Sequence, residues 1–178
     1  MTRYLLRVVQ FAFAVCLPIA TSGLLSVAYA HVTLERKEAP IGASYKAVLR
    51  VPHGCDGSPT TAIRVRIPDG VIDVKPMPKS GWTLNLVKGK YQKTYSIFHT
   101  PVSEGVTEID WSSGRLPDDY YDEFVFAAFL ASDLQPGQML YFPVVQECEK
   151  GVHRWIEIPS PGSENPEPAP GLKLLPKP

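Results

Sequence analysis

His31 follows Ala28-Tyr29-Ala30, a small-residue A-x-A site closing an apolar stretch that opens with Arg3 and Arg7. Residues 1–30 therefore read as a secretory signal peptide, and cleavage after Ala30 makes His31 the first residue of the mature chain. Gln10, Pro18, Thr21, Ser22, Gly23 and Ser26 interrupt the stretch, which falls short of the ~20 apolar residues a membrane span requires. An N-terminal histidine presents an α-amine, of pKa ~7.7–8.0, beside an imidazole. A divalent metal can displace the amine proton near neutral pH, and the amine nitrogen and ring Nδ1 then close a six-membered chelate. Two such nitrogens in a plane suit Cu(II), the tightest binder of the first-row divalent series. No internal histidine can bind in this way.

Export changes the arithmetic of the chain. The full sequence has 178 residues with 18 Lys+Arg against 18 Asp+Glu; loss of residues 1–30 leaves 148 residues, 16 basic and 18 acidic, a formal charge of −2. A nucleic-acid or membrane-surface binder needs a basic excess to hold phosphates, so neither partner is expected. Of three cysteines, Cys16 goes with the leader and Cys55 and Cys148 remain. A periplasmic or extracellular location favours their pairing, and closing so long a loop is worth about 4–5 kcal/mol on the chain-entropy estimate. A two-cysteine metal site is the competing reading, weakened by the absence of CxxC spacing. HExxH, GxSxG, GxGxxG and P-loop signatures are also absent, so no enzyme is expected.

The elements that must position these groups are short strands. Ala47, Leu49 and Val51 alternate with Lys46, Val48 and Arg50; Ile63, Val65 and Ile67 with Arg64 and Arg66; Trp82, Leu84 and Leu86 with Thr83 and Asn85. Residues 91–99, 106–111, 123–131, 140–146 and 152–158 add candidates, and turn-forming runs such as Pro68-Asp69-Gly70 and Gln135-Pro136-Gly137 separate them. Many short strands with regular punctuation predict an all-β, immunoglobulin-like sandwich over residues 31–158. Seven of the 18 prolines fall in residues 159–178. That segment is expected to be a Pro-rich, extended tail outside the sheets, packing on the sandwich through Leu172, Leu174 and Leu175.

The N-terminal His31-Val32-Thr33-Leu34, then Arg50-Val51-Pro52-His53-Gly54-Cys55, Lys75-Pro76-Met77-Pro78-Lys79 with Gly81-Trp82, Leu116-Pro117-Asp118-Asp119, Phe142-Pro143-Val144-Val145-Gln146 and Arg154-Trp155-Ile156-Glu157-Ile158 run through nearly all of the mature chain. In these motifs the chain resembles the YcnI-like family of secreted copper-binding proteins. The resemblance implies an immunoglobulin-like sandwich and a Cu(II) site of monohistidine-brace type. Carried over by position, its residues are His31, Glu38 and Trp155. Copper trafficking, storage or homeostasis is the implied role, with other secreted copper chaperones or a membrane copper importer as exchange partners.

The carry-over has a geometric difficulty. In one extended strand Glu38 would lie about 23 Å from His31 at ~3.3 Å per residue, so the chain bends back or the carboxylate comes from elsewhere, with Glu157 in reserve. Alternation places Ile156 and Ile158 toward the core and His153, Trp155 and Glu157 on the opposite face. His53 reads as a turn residue bonding backbone, His99 as a strand end, and Met77 and Met139 as packing residues more than Cu(I) ligands. Lys79, Lys88, Lys90 and Lys93 form the solvated face of a hairpin, and Asp118, Asp119, Asp122 and Glu123 read as turn caps before a Ca²⁺ site. Two other functions stay open. One is a copper-dependent oxidative enzyme of the polysaccharide-monooxygenase type, needing a second histidine from His53, His99 or His153. The other is a metal-free immunoglobulin-like interaction module.

Overall fold

The computed structural model describes residues 31–178; the expected signal peptide, residues 1–30, lies outside the described residues. Every regular element among the described residues is a strand: β1 (Thr33–Leu34), β2 (Glu38–Pro40), β3 (Ser44–Val51), β4 (Thr60–Arg66), β5 (Val71–Pro76), β6 (Thr83–Ile97), β7 (Thr100–Ser112), β8 (Asp122–Leu130), β9 (Met139–Tyr141), β10 (Val144–Cys148), β11 (Val152–Trp155) and β12 (Gly171–Leu175). They form a four-stranded sheet in the order β1-β3-β8-β5, a five-stranded sheet β11-β10-β4-β7-β6, and a small sheet β2-β12-β9.

Alternation does the work expected of it in the two larger sheets. Ala47, Leu49 and Val51 of β3 and Phe124, Phe126 and Ala128 of β8 face Ile63, Val65, Ile109, Trp111 and Val144 of the opposite sheet, all in one buried cluster. The Trp111 and Phe124 rings meet edge-on at 5.5 Å between the layers. The segments at 82–86 and 91–99 fuse into one long strand, β6, which pairs with β7 along most of its length through two register shifts.

Two expectations fail. The C-terminal segment is not wholly outside the sheets, because β12 is the central strand of the small sheet, parallel to β2 and antiparallel to β9. Proline bars a ladder only where it stands, and Gly171–Leu175 lies between Pro170 and Pro176 with every backbone donor intact. Lys173 N–H donates to the Lys37 carbonyl and Leu174 N–H to Gln138, while Leu172 and Leu174 enter the main core. The fold thus runs on to Leu175 instead of closing at Ile158.

The second failure concerns Trp155, which is only 2% exposed, whereas Ile156 and Ile158 are 43% and 54% exposed. Pairing fixes which side faces the core. Trp155 is registered with Val144, and Val144 with Val65, so all three side chains project to the same inner face. The apolarity of Ile156 and Ile158 could not override that register, since β11 ends at Trp155.

Burial of Leu172 should make the C-terminal strand a stability element. Leu172→Ala is expected to cost about 2–5 kcal/mol, as a core truncation does. Lys173→Ala, which removes only an exposed pair with Glu38, should cost under about 1 kcal/mol. Urea midpoints of the two variants check the contrast.

Candidate functional site

His31 enters just before β1, and the register Thr33↔Arg50 continued outward sets it level with Pro52. Val32 and Leu34 turn into the core while His31 stays half-buried at the rim. It lines two open clefts, one of 200 Å³ with Thr33, Arg50, Pro52 and Tyr121, the other of 260 Å³ bordered by Tyr141 and Pro168. β1 is an edge strand of one sheet and β11 an edge strand of the other, so the site forms where the two layers meet. There the His31 and Trp155 rings lie edge-on with centroids 5.3 Å apart.

The indole is held by a residue that sequence reasoning passed over. Gln146 is 1% exposed, and its inward position follows from the alternation Val144, Gln146 along β10. Its Oε1 accepts Trp155 Nε1–H at 3.0 Å; its amide nitrogen donates to the His53 carbonyl at 2.7 Å and to Thr60 Oγ1 at 2.8 Å. A buried amide is tolerated when its groups are paired in this manner. The legible signal was a glutamine in step with Val144, on the inward-facing set of its strand.

The loop carrying His53 is fixed from several sides. Cys55 and Cys148 are disulfide-bonded across a sequence separation of 93. Asp118 Oδ1 accepts the Gly54 N–H at 2.8 Å, as expected of a turn-capping carboxylate. A β-carbon at residue 54 would stand 1.9 Å from the Ser58 carbonyl oxygen, so only glycine lets the Cys55–Ser58 turn close. His53 Nδ1 lies 2.6 Å from the Gly54 carbonyl oxygen, which can only accept.

A second histidine lies against the indole, and a third against that one. The His153 ring stacks on Trp155 with centroids 4.9 Å apart, and the His53 ring stands nearly perpendicular to that of His153 at 6.2 Å. His153 Nδ1 is 2.6 Å from Glu167 Oε1, and the other Glu167 oxygen accepts the Arg154 N–H at 2.8 Å. Glu167 was also unanticipated, because its approach depends on the C-terminal segment returning beside Glu157, whose carbonyl accepts the Ala169 N–H. The Glu157 carboxylate accepts the Glu167 N–H at 3.1 Å and so holds this return in place.

Glu38 is placed elsewhere. The chain leaves the four-stranded sheet after Leu34, and Glu38 begins β2 in the small sheet, with its carboxylate 3.4 Å from Lys173 Nζ and more than half exposed. Among the described residues no group of three or more His, Cys, Asp and Glu side chains stands at metal-binding spacing. His99 occupies the exposed two-residue turn between β6 and β7, where Phe98 and His99 both have positive φ. Lys79 bonds Asp122 and the Glu123 carbonyl, so part of the acidic cluster is engaged as structural pairing. Tyr121 donates to Glu123 beside Arg50, and that hydrogen bond is the first cause holding its phenol above the ordinary range.

Comparison with known proteins agrees with this architecture. A family model described as a domain of unknown function (DUF1775) matches residues 31–174, which takes in the central strand of the small sheet. An uncharacterized protein from Nocardia farcinica, whose crystal structure is described as revealing an immunoglobulin-like fold, superposes with a TM-score of 0.62 at 25% identity, over 82% of this chain and 98% of that one. No curated protein sequence gives a significant match.

Gln146→Leu keeps the volume but strands the Trp155 N–H and the His53 carbonyl in a buried place. At about 1–3 kcal/mol for each unsatisfied group, a loss of about 2–4 kcal/mol is expected in urea unfolding. A loss within 0–0.5 kcal/mol, the ordinary range of surface substitutions at about ±0.5 kcal/mol, would remove Gln146 from its place at the centre of the site.

Proposed function

This chain belongs to the DUF1775 family, and on that premise we propose that it is an exported copper-binding protein of the YcnI-like kind, holding Cu(II) through the N-terminal nitrogens of processed His31. The observation that carries the reading is the edge-on contact of His31 with the buried, hydrogen-bonded Trp155. A sequence-remote tryptophan meets the residue that processing would turn into a bidentate ligand. Of the three residues implied by the resemblance, His31 and Trp155 are together and Glu38 is engaged with Lys173, so the reading rests on the first two.

The chemistry asked of the protein is modest. The amine and imidazole of His31 supply two nitrogens to the cargo ion, while Trp155 closes one side of the site with an apolar face and limits water there. The open clefts beside His31 leave room for a donor from an exchanging chaperone or importer. The Cys55–Cys148 disulfide supports an oxidising location, periplasmic or extracellular. Copper handling without catalysis follows, since a site that must release its ion benefits from few fixed ligands.

Cu(II) titration of protein processed at His31, against protein with one additional residue before it, tests the reading. The extension removes the α-amine from His31 and is expected to weaken binding at least about a hundredfold, about 2.8 kcal/mol. Quenching of tryptophan emission by Cu(II) should be reduced in Trp155→Phe. Equal affinity of the processed and extended proteins would overturn the N-terminal site and leave the metal-free module as the function.

A further inference from the structure

We infer that the Cys55–Cys148 disulfide controls the His31–Trp155 site, which is held in place while the pair is oxidised and loosened when an exported protein dithiol reduces it. Its function rests on the copper reading, its mechanism on contacts within the chain. Gln146 lies two residues before Cys148 on β10, and His53 two residues before Cys55 on the loop. The covalent link therefore spans the same gap as the hydrogen bond from the Gln146 amide to the His53 carbonyl. Thr60 Oγ1 joins the two, since it accepts from Gln146 at 2.8 Å and lies 3.9 Å from Cys148 Sγ. The other end of Gln146 holds Trp155 Nε1–H, and the indole meets the His31 ring. Pro52, next to His53, is a wall of one His31 cleft. Opening the disulfide thus reaches His31 along two routes, through the indole and through the cleft wall.

Regular backbone pairing does not replace the covalent link. The β10–β4 ladder shifts register between Glu147 and Cys148, so the strand becomes irregular at the residue that carries the sulfur. Residues 52–54 lie outside the strands, tied to their surroundings by bonds such as Gly54 N–H to Asp118 and His53 carbonyl to Gln146. Bonds of this kind draw strength from exclusion of water and from one another, and a loop that opens locally loses both.

The two sulfurs differ in access. Cys55 is 4% exposed, whereas Cys148 is half-buried and precedes the exposed Glu149 and Lys150. An attacking thiolate meets Cys148 first and displaces Cys55 as the leaving thiolate. The second thiol of the reductant then resolves the mixed disulfide. The reductant departs as its own disulfide, and its two electrons and two protons end on Cys55 and Cys148 as thiols. Copper held at His31 is released more readily from that form.

The experiment reads the indole first, without metal. In copper-free processed protein, reduction by dithiothreitol is expected to shift the Trp155 Nε1–H resonance. The double variant Cys55→Ala, Cys148→Ala, which Cu(II) cannot reoxidise, should reproduce that shift and bind Cu(II) about tenfold more weakly than the oxidised protein. Ile72→Ala, in the separate cluster with Tyr95 and Phe129, removes core volume without touching this network and should change neither. An indole resonance unmoved by reduction would overturn the coupling whether or not copper binds and whether or not the double variant folds. A moved resonance with Cu(II) affinity within twofold of the oxidised protein would overturn the control of the site. Equal affinity of processed and N-terminally extended protein would instead retire the copper reading, while the indole shift still reports the coupling.

Discussion

A single buried amide organises one end of this sandwich. Gln146 occupies a position that β10 turns inward, where an unpaired polar group would cost several kcal/mol. It is tolerated because its oxygen binds the Trp155 indole N–H and its nitrogen binds the His53 carbonyl and the Thr60 hydroxyl. The stretch from His53 to Thr60 and the β10–β11 pair, remote from each other in sequence, thereby share one side chain. In a medium of low polarity such bonds are electrostatically strong, and each partner loses much if another is removed. Two residues further along β10, Cys148 repeats the connection covalently through Cys55.

The placement of the site at a sheet rim has a physical logic. Interior strands pair on both sides and present only core or solvent faces, whereas β1 and β11 are edge strands of two or four residues that end where the layers converge. Short edges discourage pairing with other chains and leave their ends available for side-chain chemistry. The C-terminal segment completes this corner. It seats Leu172 and Leu174 in the core through β12 and delivers Glu167 to His153 on the way. Stability and site geometry are therefore carried by the same stretch of chain.

The sandwich itself was legible because alternation is local. In β3 and β4 the inward set could be named residue by residue, since period two and a large apolar face leave one consistent answer. Around β11 the same reasoning failed, as both alternating sets contain large apolar side chains and the choice was made by pairing with Val144. The C-terminal strand failed for a related reason. Prolines dominate the composition of residues 159–178, yet the five residues between Pro170 and Pro176 decide the structure. His31 and Trp155 were legible as a pair through family resemblance, but Gln146 and Glu167 acquire meaning only from neighbours on other strands.

By itself, then, the sequence determined the all-β architecture, supplied Cys55 and Cys148 for the disulfide, and set the chemistry that His31 would have as an N-terminal residue under the proposed processing. Each depends on residue type, short-range periodicity or processing chemistry, which are properties of the chain before it folds. Tertiary structure alone decided that Trp155 is buried against His31, that Glu38 faces Lys173, and that His153 stacks on the same indole with the His53 ring beside it. Those are matters of register and of loop closure across long sequence separations, where the free energy belongs to pairs of elements and cannot be read from either one.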